Sequence, residues 1–231
     1  MHAVLEGSRE LAPGVRHFEF SVPDVERLDF QAGQFVSFSH DIGGKSITRA
    51  YSIASAPAGD NRFSLCLNLV PDGHFSPYLF AMEPGGRVAM QGPLGTFTLR
   101  DPGQDMVWVA TGTGIAPFRG MLDSWRNLPE PRGRVTLVFG VRYENHLLYR
   151  AEFEEAAAAL PGFEFHPTLS RPGEDWRGRA GHVQRHVLEA LGERRDVHVY
   201  ICGLRLMVDD LRAQLKALGF DRKQIIYERF D

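Results

Sequence analysis

Met106-Val107-Trp108-Val109-Ala110-Thr111-Gly112-Thr113-Gly114-Ile115-Ala116-Pro117 is the stretch that decides the fold of the second half of this chain. Its first five residues form an unbroken apolar run, the pattern of a strand buried on both faces in a parallel sheet. A glycine-rich turn follows at once, and residues 115–126 then read as a helix. Such a turn sets backbone N–H groups at the carboxyl end of the strand, where α/β sheets bind the pyrophosphates of dinucleotides. The spacing departs from GxGxxG, because Pro117 stands where the third glycine would fall.

Downstream the alternation continues. Strands are expected over 135–139, 163–167, 197–201 and 224–228, and helices over 151–160, 182–190 and 204–218. This is the rhythm of a doubly wound α/β parallel sheet. Upstream the rhythm is different. Val15-Arg16-His17-Phe18-Glu19-Phe20-Ser21-Val22 places Phe18, Phe20 and Val22 on one face, a period of two. Residues 34–38, 48–53, 63–70 and 87–90 are further strand candidates at spacings that suit a small antiparallel β-barrel. One short helix fits at 76–82, with Ser76 as its cap and Pro77 at its first position. The polar turn Arg100-Asp101-Pro102-Gly103-Gln104 divides the two, giving a barrel domain over 1–101 and an α/β domain over 102–231.

Composition narrows the function. The chain has 231 residues, 43% of them hydrophobic, and a net charge of −3. It lacks the basic excess of a nucleic-acid binder. No stretch approaches the roughly 20 apolar residues of a spanning helix, and the N-terminus lacks the apolar core of a signal peptide. A cytoplasmic protein without membrane attachment is the expectation. The two cysteines, Cys66 and Cys202, form no CxxC pair and are too few to ligate an iron–sulfur cluster. Any such centre would sit on a partner, and no metal site is expected.

The barrel half carries its own candidate site. On the strand over 48–53, alternation puts Arg49 and Tyr51 on one face. Arg49 can pair with a phosphate, Tyr51 can lay its ring on a planar ligand, and Ser52 adds a donor beside that plane. The same residues also suit an ordinary edge strand with an exposed Arg and a half-buried Tyr. Downstream, Asp72-Gly73-His74-Phe75-Ser76 precedes the short helix and reads either as an anion site or as a plain helix cap.

Taken together, four motifs carry a resemblance. Arg49-Ala50-Tyr51-Ser52-Ile53-Ala54-Ser55 resembles the flavin-binding RxYS element of the ferredoxin–NADP⁺ reductase superfamily, and residues 112–117 resemble its nicotinamide-nucleotide turn. Ile201-Cys202-Gly203 and Tyr227-Glu228-Arg229-Phe230 resemble two further signatures, and all four occur in family order across nearly the whole chain.

The resemblance implies a flavoenzyme that moves hydride between NADP(H) and bound FAD and exchanges single electrons with a ferredoxin, a flavodoxin or an oxygenase component. It also implies roles. Arg49 neutralises a flavin phosphate, Ala50 and Tyr51 line the isoalloxazine, and Ser52 hydrogen-bonds near flavin N5. Leu67 and Leu69 border the flavin, while Gly73, His74, Phe75 and Ser76 cradle the pyrophosphate. Thr113, Gly114, Cys202 and Gly203 approach the nicotinamide nucleotide. Glu228 joins a polar link with Ser52 and Cys202, and Phe230 covers the flavin face that the nicotinamide must reach. The reaction-bearing residues are thus Ser52, Cys202, Glu228 and Phe230. Cys202 read alone also suits a small buried residue at a strand end.

FAD is favoured over FMN because residues 73–76 suit a diphosphate. NADP(H) is favoured over NAD(H) because Ser170-Arg171, with Arg179 nearby, follow the strand over 163–167, near where NADP-specific members bind the 2′-phosphate. The chain is expected to be a monomer. Two departures bear on the acceptor. Plastid members end in Tyr, whereas here Phe230 is followed by Asp231, which is closer to the reductases of bacterial oxygenases. Those often carry a fused iron–sulfur domain, for which this chain has no cysteines. A reductase of free flavin, with flavin as substrate, is the competing reading.

Overall fold

The computed structural model describes residues 1–230. They form two compact units, one of residues 1–99 with 116–124, the other of residues 100–115 with 125 onward.

The first unit contains six antiparallel strands: β1 (His2–Ala12), β2 (Val15–Ser21), β3 (Phe35–Ile42), β4 (Lys45–Ser52), β5 (Arg62–Asn68) and β6 (Arg87–Leu94). Their spatial order is β4-β3-β6-β1-β2-β5. The outermost strands meet. Ile53 bridges Leu65, and the Ala54 N–H donates to the Ser64 carbonyl at 2.7 Å, so the sheet closes on itself as a barrel. Phe18, Phe20, Phe38 and Phe63 fill the interior, each 3% exposed or less. Phe20 meets Phe38 edge-on at 5.1 Å and stacks on Phe63 at 5.6 Å, geometries that aromatic quadrupoles favour. Gly43 and Gly44, at φ 61° and 76°, make the tight turn between β3 and β4, which needs two left-handed residues.

β1 has no counterpart among the expected strands. Its pairing with β2 shifts register between Leu5 and Gly7 and again between Glu10 and Ala12. Each shift breaks the alternation that would mark a strand in the sequence. A second difference concerns Ser76. Helix α1 runs over Phe75–Ala81 with His74 at the N-cap and no side-chain cap bond. Ser76 does not cap it. Its hydroxyl accepts the Val70 N–H at 2.9 Å and so fastens the loop that leads into the helix.

The second unit is a six-stranded parallel sheet of β7 (Met106–Thr111), β8 (Val135–Val141), β9 (Phe163–Leu169), β10 (Arg179–Ala180), β11 (His198–Leu204) and β12 (Ile225–Phe230). The order is β10-β9-β8-β7-β11-β12. The chain therefore travels outward from β7 through β10 and returns to the other side of β7. The carboxyl ends of β7 and β11 form the switch point where α/β sheets open a crevice. Helices α3 (Arg150–Ala159), α4 (Val183–Leu191) and α5 (Arg205–Ala217) accompany it. One core joins Val107, Val109, Val199 and Ile201 of the sheet to Val187 of α4 and Val208, Leu211 and Leu215 of α5.

Helix α2 (Ala116–Arg126) follows the glycine turn, yet residues 116–124 pack within the first unit. Phe118 meets Phe97 edge-on at 5.7 Å, and Arg119 Nη1 donates to the Ala54 carbonyl at 2.9 Å. Gly120 lies so close to the Ser55 carbonyl that a β-carbon there would collide with it.

Candidate functional site

In the barrel unit, β4 alternates as its sequence implies. Ile47 and Tyr51 pack against the barrel core, and Arg49 lies between them in the same row, exposed. Among the described residues, the Arg49 guanidinium donates only locally, from Nη1 to the Thr48 carbonyl at 2.9 Å, which leaves most of the fork's five donors for a ligand. The Tyr51 ring stands 5.9 Å from Phe38 and 6.2 Å from Phe75. Burial pushes its phenol up to about 12, against the pull of Arg49, so the ring is neutral. Ser52 is buried and Ala50 exposed.

Facing this strand's neighbourhood in sequence order, Leu67 belongs to the barrel core and Leu69 is half-buried. Phe75 is 3% exposed, so its side chain serves the core. The Gly73 N–H is bonded to the Val70 carbonyl at 2.9 Å, and a β-carbon on Gly73 would press on that carbonyl at 3.0 Å. His74 is exposed. The Ser76 hydroxyl, having accepted the Val70 N–H, keeps its own hydrogen to donate. A free-standing cation, a half-buried aromatic face and two hydroxyls are a donor set that fits a phosphate-bearing planar cofactor.

In the second unit, the glycines build a cradle at the switch point. Gly112 has φ +54° and open space where a β-carbon would stand, so backbone can approach a ligand there. Gly112–Ile115 forms a single 3₁₀ turn that carries Thr113 and Gly114. A β-carbon on Gly114 would collide with the Cys202 carbonyl, and one on Gly203 (φ +144°) with Thr111 Oγ1. Thr111 Oγ1 in turn accepts the Leu204 N–H at 3.3 Å. The turns after β7 and β11 are therefore locked together backbone to backbone. Sequence reasoning gives Thr111 no role; its one signal is its place as the last residue of the strand.

Cys202 is fully buried, in register with Ala110 on one side and Glu228 on the other. Burial, and secondarily Glu228, push its thiol well above the ordinary value. A protonated thiol is no nucleophile, so what the position offers a ligand is small volume. Ile225 belongs to the α5-side core together with Val199 and Ile201. Alternation then sends Glu228 and Phe230 to the opposite face, the face of Cys202. Phe230 is half-buried beside its register partner Leu204. The sequence-derived residues Cys202, Gly203, Glu228 and Phe230 are thus brought together with Gly114.

Ser170, Arg171 and Arg179 gather elsewhere, at the carboxyl ends of β8 to β10. The Ser170 N–H donates to the Val141 carbonyl and the Arg171 N–H to the Arg142 carbonyl, each at 2.9 Å. Arg171 Nη1 reaches the Tyr143 hydroxyl at 3.5 Å. Arg179, on the edge strand β10, is exposed beside Thr168. Burial first, and Arg179 second, push the His166 imidazole below its ordinary value. Two surface concavities, one of about 520 Å³ at His40, Asp41 and Arg87 and one of about 560 Å³ at Phe30, Gln31 and Gln34, hold none of the residues named above. Both lie on the barrel unit and are lined by residues outside the candidate set.

Comparison with known proteins bears on both units. Residues 2–99 match the family model described as an oxidoreductase FAD-binding domain, and residues 108–213 that described as an oxidoreductase NAD-binding domain. The chain is 40% identical to ferredoxin–NADP reductase B of Sorangium cellulosum, over 99% of this chain and 97% of that protein. It is 30% identical to the anthranilate 1,2-dioxygenase electron transfer component of Acinetobacter baylyi, over 89% of this chain but only 60% of that protein. Among solved structures, it superposes with a TM-score of 0.83 on a ferredoxin NADP⁺ reductase from Neisseria gonorrhoeae with bound FAD and NADP. The identity is 25%, with 99% of this chain and 98% of that chain covered.

Proposed function

The chain belongs to the ferredoxin–NADP⁺ reductase family of FAD- and NAD(P)-binding oxidoreductases, and from that premise we propose that it transfers hydride between NADP(H) and a resident FAD and passes single electrons to or from a ferredoxin- or flavodoxin-type protein. The observation that carries the proposal is the backbone lock between Gly114 and Cys202 at the switch point. It packs the glycine turn after β7 tightly against the end of β11, next to Cys202 and its register partner Glu228, a place that suits a nucleotide brought in on backbone N–H groups.

A bound flavin supplies the exchange between two-electron and one-electron chemistry. The chain's own residues bind, orient and exclude. Arg49 would neutralise a phosphate of the flavin, Tyr51 would support its ring, Ser76 would donate to its pyrophosphate, and Ser52 would supply a hydroxyl near its reacting nitrogen. Thr113 and Gly114 receive the nucleotide, and Cys202 leaves room for the nicotinamide. On this reading Phe230 would cover the flavin face that a nicotinamide needs and would give way to it. Ser170, Arg171 and Arg179 form the positive rim that favours NADP(H), since a 2′-phosphate needs a guanidinium and a 2′-hydroxyl does not. A monomer in the cytoplasm is the accompanying proposal.

A second reading, the reductase component of an oxygenase system, is favoured by the 30% identity to the dioxygenase electron transfer component. One experiment addresses the reading as a whole. The purified protein is expected to be yellow, to release FAD on denaturation, and to be bleached anaerobically by NADPH at far lower concentration than by NADH. Colourless protein would shift the reading to a reductase of free flavin, and equal bleaching by both nucleotides would remove the role of Arg171 and Arg179.

A further inference from the structure

Tyr227 and Arg229 point to the α5 side of β12, and α5 grips both. The Arg212 guanidinium lies over the Tyr227 ring, 3.6 Å from its centroid, and Arg229 stands 5.7 Å from the same ring. Asp209 Oδ1 accepts from Arg212 Nη1 at 3.2 Å and from Arg229 Nη1 at 3.3 Å. Its other oxygen lies 3.7 Å from Arg205 Nε. Arg212 is the better shielded of these cations, with its side chain 22% exposed against 41% for Arg229, which strengthens its hold on the ring.

β12 needs such a hold. It is the outermost strand of its sheet and, among the described residues, pairs with β11 alone, so an edge strand held on one side needs side-chain contacts to fix its orientation. Residues 227 and 229 alternate with residues 228 and 230, so any roll of the strand about its own axis moves both sets at once. The α5 side therefore fixes what the opposite face presents.

We propose that Arg212 is a positioning residue for the nicotinamide nucleotide: by lying across Tyr227 it fixes the α5 face of β12 and thereby sets where Glu228 and Phe230 stand on the other. This rests on the reading of Phe230 as the group that a nicotinamide displaces. Charge alone does not suffice, because the planar guanidinium is what stacks on the ring, and the Tyr227 hydroxyl is not required.

The test uses the flavin-loaded protein and reads three quantities: NADP⁺ affinity from the flavin difference spectrum, the rate of flavin reduction at saturating NADPH, and the thermal midpoint. Arg212→Met keeps the stem packed and removes the stack. It is expected to tighten NADP⁺ at least threefold and to slow reduction at least threefold. Tyr227→Ala should do the same, Tyr227→Phe should match the wild type, and the Arg212→Met/Tyr227→Ala double variant should be no worse than either single change. Should Arg212→Met not fold, the contrast between Tyr227→Ala and Tyr227→Phe decides. Phe230→Ala is measured in parallel. If Phe230→Ala tightens NADP⁺ and Arg212→Met leaves both affinity and rate within twofold of wild type, the proposal for Arg212 fails and the reading of Phe230 stands. If neither variant shifts NADP⁺ affinity, both fail. A weaker NADP⁺ affinity that merely follows a lowered thermal midpoint would mean that Arg212 only stabilises the fold, and would overturn the proposal.

Discussion

Gly114 and Cys202 stand backbone against backbone, with the space that a β-carbon on Gly114 would need already filled by the Cys202 carbonyl. The atoms in the way belong to the main chain of Cys202 and Gly203, which cannot rotate away as a side chain can. Gly114→Ala is therefore expected to cost about 1–3 kcal/mol, the usual cost of overpacking a tight site, and to weaken nucleotide binding while the flavin stays bound. Thermal melting and NADP⁺ titration check this. A variant with the wild-type midpoint and affinity would show that the two turns separate freely.

His17 is expected to make the fold acid-sensitive. It is 4% exposed, and burial, followed by Arg119 and Arg9, pushes its imidazole from 6.5 down to about 4. The fold holds the neutral ring, whereas the unfolded chain takes up a proton near pH 6.5. Stability is therefore complete above pH 6.5, falls as the pH drops from 6.5 towards 4, and stops falling on this account below that. The loss is on the order of 3 kcal/mol. Urea midpoints at pH 7, 5 and 4 measure it, and His17→Gln should flatten the slope between them. An equally steep slope in that variant would assign the acid sensitivity to other groups.

Both cysteines are buried and unpaired with one another, and the Cys202 thiol is pushed above its ordinary range. Native protein at pH 8 should react with Ellman's reagent at least a hundredfold more slowly than free cysteine, and denatured protein should release two equivalents. A fast native thiol would contradict the protonated state assigned to Cys202.

Ser52→Ala should retain flavin, since Arg49 and Tyr51 remain, but slow its reduction by NADPH by about tenfold or more, the scale of one lost hydrogen bond to a reacting centre. Stopped-flow reduction at the wild-type rate would remove Ser52 from the mechanism.

Arg171→Ala should raise the KM for NADPH by about tenfold or more, as expected for losing a charge-assisted hydrogen bond to a phosphate, and leave that for NADH unchanged. Parallel loss with both nucleotides would place Arg171 on a shared part of the dinucleotide.

Much of this was legible in the residues. The strand over 106–110 announced itself because a strand buried on both faces must be apolar throughout, and the glycines of 112–114 because their backbone freedom is written in their identity. That Arg49 and Tyr51 share one face was legible because a strand alternates, whereas the burial of Ser52 was not. What escaped was non-local. The bulges of β1 hide its alternation. Ser76 has the right chemistry for a cap, and only the path of residues 70–75 sends its hydroxyl to Val70. The amphipathic pattern of α2 shows that one face is buried but not what buries it. The stack of Arg212 on Tyr227 joins residues 15 positions apart through a partner choice that no spacing rule encodes.

The placement of residues 116–124 bears on how such reductases can be cut and recombined. A fragment ending at residue 101 would leave behind the helix that covers Phe97 and caps the Ala54 carbonyl, and a fragment beginning there would carry that helix with its apolar side stripped. The polypeptide is interleaved rather than strung as two beads. A chimera that exchanges the nucleotide half of one relative for that of another inherits a foreign α2, and its success should depend on matching Phe118, Arg119 and Gly120 to the acceptor barrel as much as on the nucleotide turn itself.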